Sequence, residues 1–157
     1  MKTSGQMLAA IAAFSVPFSA SAQRTMNPVQ FVSVSMGADG KGYGFFIERP
    51  TERQGIANLY NFYVVPVKGA RMPQHADAMR LQLIFPCDKE IYQRFGMELL
   101  KGGTIIGGEG PAMMPDPLPK AGQMAFLRTV ACGSGPKPSG PLLSTFEQIT
   151  AATEQAR

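Results

Sequence analysis

The stretch Met79–Phe95, MRLQLIFPCDKEIYQRF, decides the fold. Met79, Leu81, Leu83, Phe85 and Cys87 occupy every second position, with Arg80 and Gln82 between the first three. A period of two marks a strand with one face in a core. By that alternation Cys87 ends the strand with its sulfur on the core face. After Asp88-Lys89 the pattern restarts and runs through Ile91, Phe95, Met97 and Leu99. Two adjacent strands therefore meet near Cys87, and the partner cysteine, Cys132, follows much later in the chain.

The same signals extend outward on both sides. Gln30–Met36 and Tyr43–Glu48, joined by a Gly/Asp-rich turn, read as a hairpin. Ile56–Val67 is a β-branched and aromatic run and reads as a third strand, with Pro66 marking fraying or an edge. Lys68–Ala78 is a polar loop carrying Pro73 and His75. Lys89–Leu100 is the fifth strand, and Thr104–Ile106 is a short sixth that glycines then interrupt. Pro111–Pro119 holds four prolines and excludes regular structure. In Lys120–Cys132, Met124, Leu127 and Ala131 share a helical face. Gly133–Pro141 reads as a linker. Ser144 and Glu147 form an S-x-x-E capping box for a helix over about Thr145–Gln155. The expected class is α+β: an antiparallel sheet of about five or six strands, a short helix before Cys132 and a C-terminal helix.

The first residues read as an address. Lys2 supplies a positive start, Met7–Phe18 is mostly apolar but too short to span a bilayer, and Ala20-Ser21-Ala22 is an A-x-A cleavage site. Residues 1–22 are thus expected to be a cleaved signal peptide, followed by a domain over 23–141 and a C-terminal helix over 142–157. No cysteine follows the cleavage site, so a lipid anchor is not expected. The address is periplasmic, extracellular or cell-surface. No later apolar run is long enough for a transmembrane helix.

Two cysteines in an exported chain suggest one disulfide, Cys87–Cys132, against a free thiol pair or a metal site. A metal site would need more ligands than these two and the lone His75 provide. Loss of Lys2, the only charge in residues 1–22, lowers the net charge from +4 to +3. The remaining charges are scattered, which argues against a nucleic-acid partner.

Chemistry is sparse. A triad would have to recruit His75 from a polar loop, and this small-hydrolase reading is one alternative. Met72, His75, Met113 and Met114 could together form a soft-metal carrier, the other alternative. Neither glycine cluster, at 102–103 or 107–110, matches a phosphate-binding pattern. Glu90, Arg94 and Glu98 read as a solvated charge ladder. No catalytic, cofactor or metal residue is assigned.

The order of features resembles the surface-adhesin protein E family of exported bacterial proteins. The resemblance covers roughly Phe31–Cys132. It rests on QFVSVS, on GYGFFIERP, on NLYNFYVV and on the cysteine pair set in FPCD, then Tyr92 and Arg94, then Pro119–Cys132. Where that family carries tryptophans, this chain offers Phe31 and Tyr60 or Phe62. The resemblance implies an α+β domain with flanking helices, sometimes paired into a homodimer, that binds host extracellular proteins. The expected function is therefore a non-catalytic, adhesin-like binding protein of the bacterial cell envelope. Its partner would be a host matrix or envelope protein, met at Lys68, Arg71, His75 and Tyr60.

Overall fold

The computed structural model describes residues 26–36, 41–48, 58–67 and 69–156. The signal segment and Lys68 lie outside the described residues. The strands are β1 (Val29–Met36), β2 (Gly42–Glu48), β3 (Leu59–Val67), β4 (Ala78–Ile84), β5 (Ile91–Lys101), β6 (Thr104–Glu109), β7 (Asp116–Pro117) and β8 (Ser139–Leu143). The helices are α1 (Gln123–Ala131) and α2 (Phe146–Gln155). The class is α+β as expected, with eight strands in place of five or six.

All pairings are antiparallel. The sheet runs β6-β5-β4-β3-β2-β1-β8, and β7 also pairs with β5. Consecutive strands are neighbours from β1 to β6, as short connections favour. The tight β5–β6 turn uses Gly102 (φ 53°) and Gly103 (φ 77°). Both residues of a two-residue type I′ hairpin need positive φ, which glycine adopts without strain. Pro66 falls where β3 has outrun β4: the β3–β4 register ends at Val64↔Met79, so β3 is locally an edge there.

A helix covers each face of the sheet. On one face Leu127 and Val130 of α1 pack with Phe45, Ile47, Phe62, Val64 and Leu81. On the other, Ile149 of α2 packs with Val29, Phe46, Tyr63, Val65 and Leu100. Strands β2 and β3 lie between the helices and are apolar on both faces, which explains their unbroken FFI and FYVV runs. β4 alternates, with Leu81 and Leu83 buried and Arg80 and Gln82 only partly so.

Several expectations need correction. β4 ends at Ile84, so Cys87 lies in the following turn and is exposed; its sulfur is not on the core face. The chain turns at Pro86–Lys89, with Lys89 N–H donating to the Pro86 carbonyl. The disulfide nevertheless forms, with Cα atoms 5.7 Å apart, inside the usual bridging range. Part of the expected 133–141 linker is strand: β8 pairs with β1. β6 continues through Gly107 and Gly108 to Glu109, and the proline-rich 111–119 stretch, expected to hold no regular structure, contains β7 paired with β5. The α2 cap is also one residue later than expected. Thr145 Oγ1 accepts from Gln148 N–H, and Gln148 Oε1 accepts from Thr145 N–H.

Candidate functional site

The outer edge of β6 has no strand partner among the described residues. Such an edge presents unpaired N–H and C=O groups, a template for an added strand. Ile105 and Ile106 are exposed on it. Six large apolar side chains are exposed among the described residues: Met36, Ile105, Ile106, Met113, Met114 and Leu142. Four of these fall between Ile105 and Met114, on β6 and the loop that follows it. That loop is tied down along β5. Ala112 N–H donates to the Arg94 carbonyl (2.8 Å), Gln93 Nε2 donates to the Ala112 carbonyl (3.0 Å), and Leu118 N–H donates to the Glu90 carbonyl (2.9 Å). Arg94 holds Glu109 of β6 at 2.7 Å and Glu98 pairs with Arg80 of β4, so cross-strand pairs replace the expected ladder of Glu90, Arg94 and Glu98.

A groove of about 650 Å³ opens between α2 and the β3–β4 connection. Arg71, His75 and Asp77 line it together with Phe146 and Thr150 of α2. The connection is fixed to the β5–β6 hairpin. Asp77 N–H donates to the Leu100 carbonyl, Gly102 N–H to Asp77 Oδ2, and Lys101 Nζ to the His75 carbonyl. The Gln74 side chain lies against Gly107. Gln74 (φ 53°) and His75 (φ 55°) are consecutive left-handed residues. Backbone of that kind persists only where its surroundings enforce it.

A second cavity, about 240 Å³, adjoins the groove at Phe146 and the edge at Ile105. Its floor is a cross-strand row: Tyr63 faces Arg80, and Arg80 faces Glu98. The Arg80 guanidinium holds Glu98 at 2.6 Å. Burial pushes the Tyr63 hydroxyl above its ordinary value, against the opposing pull of the Arg80 hydrogen bond. For Arg80, burial favours the neutral form, but the bonds to Glu98 and Tyr63 outweigh it and raise its pKa. The floor therefore offers a neutral phenol and a matched ion pair, with Met26, Leu100, Ile105 and Phe146 as apolar walls.

The sequence-predicted residues divide. Arg71 and His75 come together at the groove. Tyr60 does not: it is half-buried on the α1 face, with ring centroids 6.4 Å from Phe85 and 6.5 Å from Phe62. The long third strand packs its aromatics inward and does not display them. The soft-metal set does not assemble either. Met72 is buried, while Met113 and Met114 follow Ala112 at the Arg94 end of β5 and His75 sits at the Lys101 end. Seven residues of strand separate those ends, roughly 23 Å. Among the described residues no three His, Cys, Asp or Glu side chains are grouped to hold a metal. No serine lines the groove beside His75, and the Thr150 hydroxyl donates to the Phe146 carbonyl.

Glu48 escaped the sequence reading. It ends β2 on the α2 face, 4% exposed, and neither carboxylate oxygen has a hydrogen-bond partner among the described residues. The sole sequence signal is a charge closing an otherwise apolar strand, GYGFFIE. A buried, unpaired charge is costly. Glu48→Met is therefore expected to raise unfolding stability by about 1–3 kcal/mol. Urea denaturation checks this; a loss of stability would mean that the carboxylate is paired in solution.

No helix among the described residues is long and apolar enough to cross a membrane. Comparison with protein-family models, with curated proteins and with solved structures found no match.

Proposed function

We propose that this protein is a non-catalytic, exported binding module of the bacterial cell envelope, and that a protein partner docks along β6 and its following loop. The exposure of Ile105 and Ile106 on an unpaired sheet edge, which the loop bearing the exposed Met113 and Met114 extends along β5, carries this reading. Strand addition takes affinity from main-chain hydrogen bonds and specificity from neighbouring side-chain pockets. The groove with Arg71 and His75 and the cavity behind Ile105 are such pockets. The Cys87–Cys132 bridge fits an oxidising compartment, and the resemblance to the surface-adhesin protein E family points the same way.

The test is a paired capture experiment. Immobilised mature protein and its Ile106→Lys variant are challenged with envelope extract and with host matrix proteins. Ile106 is exposed, and lysine blunts an edge without disturbing a core. The expected result is one partner held by the native protein and by a Met36→Lys control, and held roughly tenfold more weakly by Ile106→Lys, the usual loss for an interface anchor. Equal capture by Ile106→Lys, or no partner from either source, overturns the proposal.

A further inference from the structure

The described methionines differ in exposure, and Met26 is partly buried against the α2 core. Met113 is 97% exposed and Met114 is 75% exposed. Met72 is 8% exposed, and Met79, Met97 and Met124 are partly buried against the α1 core. Met36 is exposed at 44%, yet its sulfur rests over Gly42. The Met113–Met114 pair is thus held outward, with no core contact to shield either thioether.

We infer that Met113 and Met114 are a modification site for two-electron oxidants of the peroxide class. In the reaction the thioether sulfur donates an electron pair to one peroxide oxygen. The O–O bond breaks, an S=O bond forms, and the other oxygen leaves as water. The product is methionine sulfoxide, which is polar where the thioether was apolar, and reductases can reverse it. Susceptibility follows exposure of the sulfur.

The fold tolerates this change at these two positions. The loop is anchored by backbone bonds at Ala112 and Leu118 and by the β5–β7 pairing of Ile91 with Pro117 and Tyr92 with Asp116. None of these bonds involves a methionine side chain. Oxidation therefore alters the surface and leaves the packing alone. On the binding reading proposed above, on which this consequence alone rests, it turns the two exposed apolar groups of the loop that continues the β6 edge polar and weakens partner capture.

Titration of the folded, disulfide-bonded protein with hydrogen peroxide tests the site, with peptide mapping by mass spectrometry. Met113 and Met114 are expected to gain the first two oxygen atoms, roughly tenfold faster than Met72 and Met124, with the thermal midpoint unchanged. Met113→Leu/Met114→Leu removes those two additions and keeps the midpoint. Even oxidation of all methionines, earlier oxidation of Met36 or Met72, or a fall in the midpoint at two oxygens overturns the inference. Partner capture is measured separately on the doubly oxidised protein. Normal oxidation with undiminished capture contradicts only the edge-binding reading.

Discussion

Cys132→Ser is expected to lower unfolding stability by about 2–5 kcal/mol, the range for losing a native bridge from a small secreted domain. The bridge closes 45 residues of chain, and the entropy model assigns roughly 4 kcal/mol to a loop of that size. What it ties explains why the effect should be near that figure. α1 spans nine residues, its N-cap is Gly122, and no side chain caps it. A helix that short is marginal on its own. Beyond the bridge it is held by Leu127 and Val130 in the core and by Arg128, whose Nη2 donates to the Cys87 and Lys89 carbonyls at 3.0 and 3.2 Å. The bridge and the Arg128 bonds both fall on the turn that Cys87 occupies. Urea unfolding of Cys87→Ser, Cys132→Ser and the double variant measures the effect. The three should lose the same amount, because each removes one and the same bond. Additive losses, or a loss under about 1 kcal/mol, would contradict the assignment of the bridge as a main tie of α1 to the sheet.

Phe62→Ala should cost about 3–5 kcal/mol. Phe62 is fully buried on the α1 face, facing Ile47 of β2 and Leu81 of β4 in register. It stands in the middle of the strand order, with pairings on both sides, so the sheet has little freedom to close over the space left behind. The cost combines the lost transfer of a phenyl group with the cavity. Tyr60→Ala, at the half-buried end of the same strand, should cost clearly less. Equilibrium unfolding of both variants checks the order, and a larger loss at Tyr60 would mean that the α1 core is centred elsewhere. Since natural domains unfold with about 5–15 kcal/mol, either the Cys132 or the Phe62 change removes a large share.

Much of this architecture is legible in the sequence, for local reasons. The alternation from Met79 to Leu83 and the Gly-turn hairpin of β1 and β2 depend on near neighbours only. So does the α2 start, where the S-x-x-E pattern points to Ser144; the cap is Thr145 instead because Gln148, not Glu147, reaches back to it. β8 was hidden because Ser139-Gly140-Pro141 reads as linker, and only the β1 edge beside it makes it a strand. Proline is tolerated there because β8 is itself an edge. Cys87 kept the alternation of β4 in sequence but not in space, because the chain turns after Phe85.

The site was legible only in part. Arg71 and the lone histidine, His75, stand out in a polar loop, and the structure places both on one groove. Ile105 and Ile106 carry no such mark. A short apolar run reads alike in a covered strand and in an edge, and the difference is set by strand order. The exposure of Met113 and Met114 is likewise a tertiary outcome, as proline-rich loops can fold over a core or stand off it.

Amide hydrogen exchange of the mature protein, alone and with its captured partner, tests edge binding most directly. An added strand must bond the outward N–H groups of β6. The account predicts new protection at alternate amides within Thr104–Glu109 when the partner is present, with β8 unchanged at the opposite edge. Protection confined to β8, or to helix α1, with β6 exchanging as in the free protein, would contradict it.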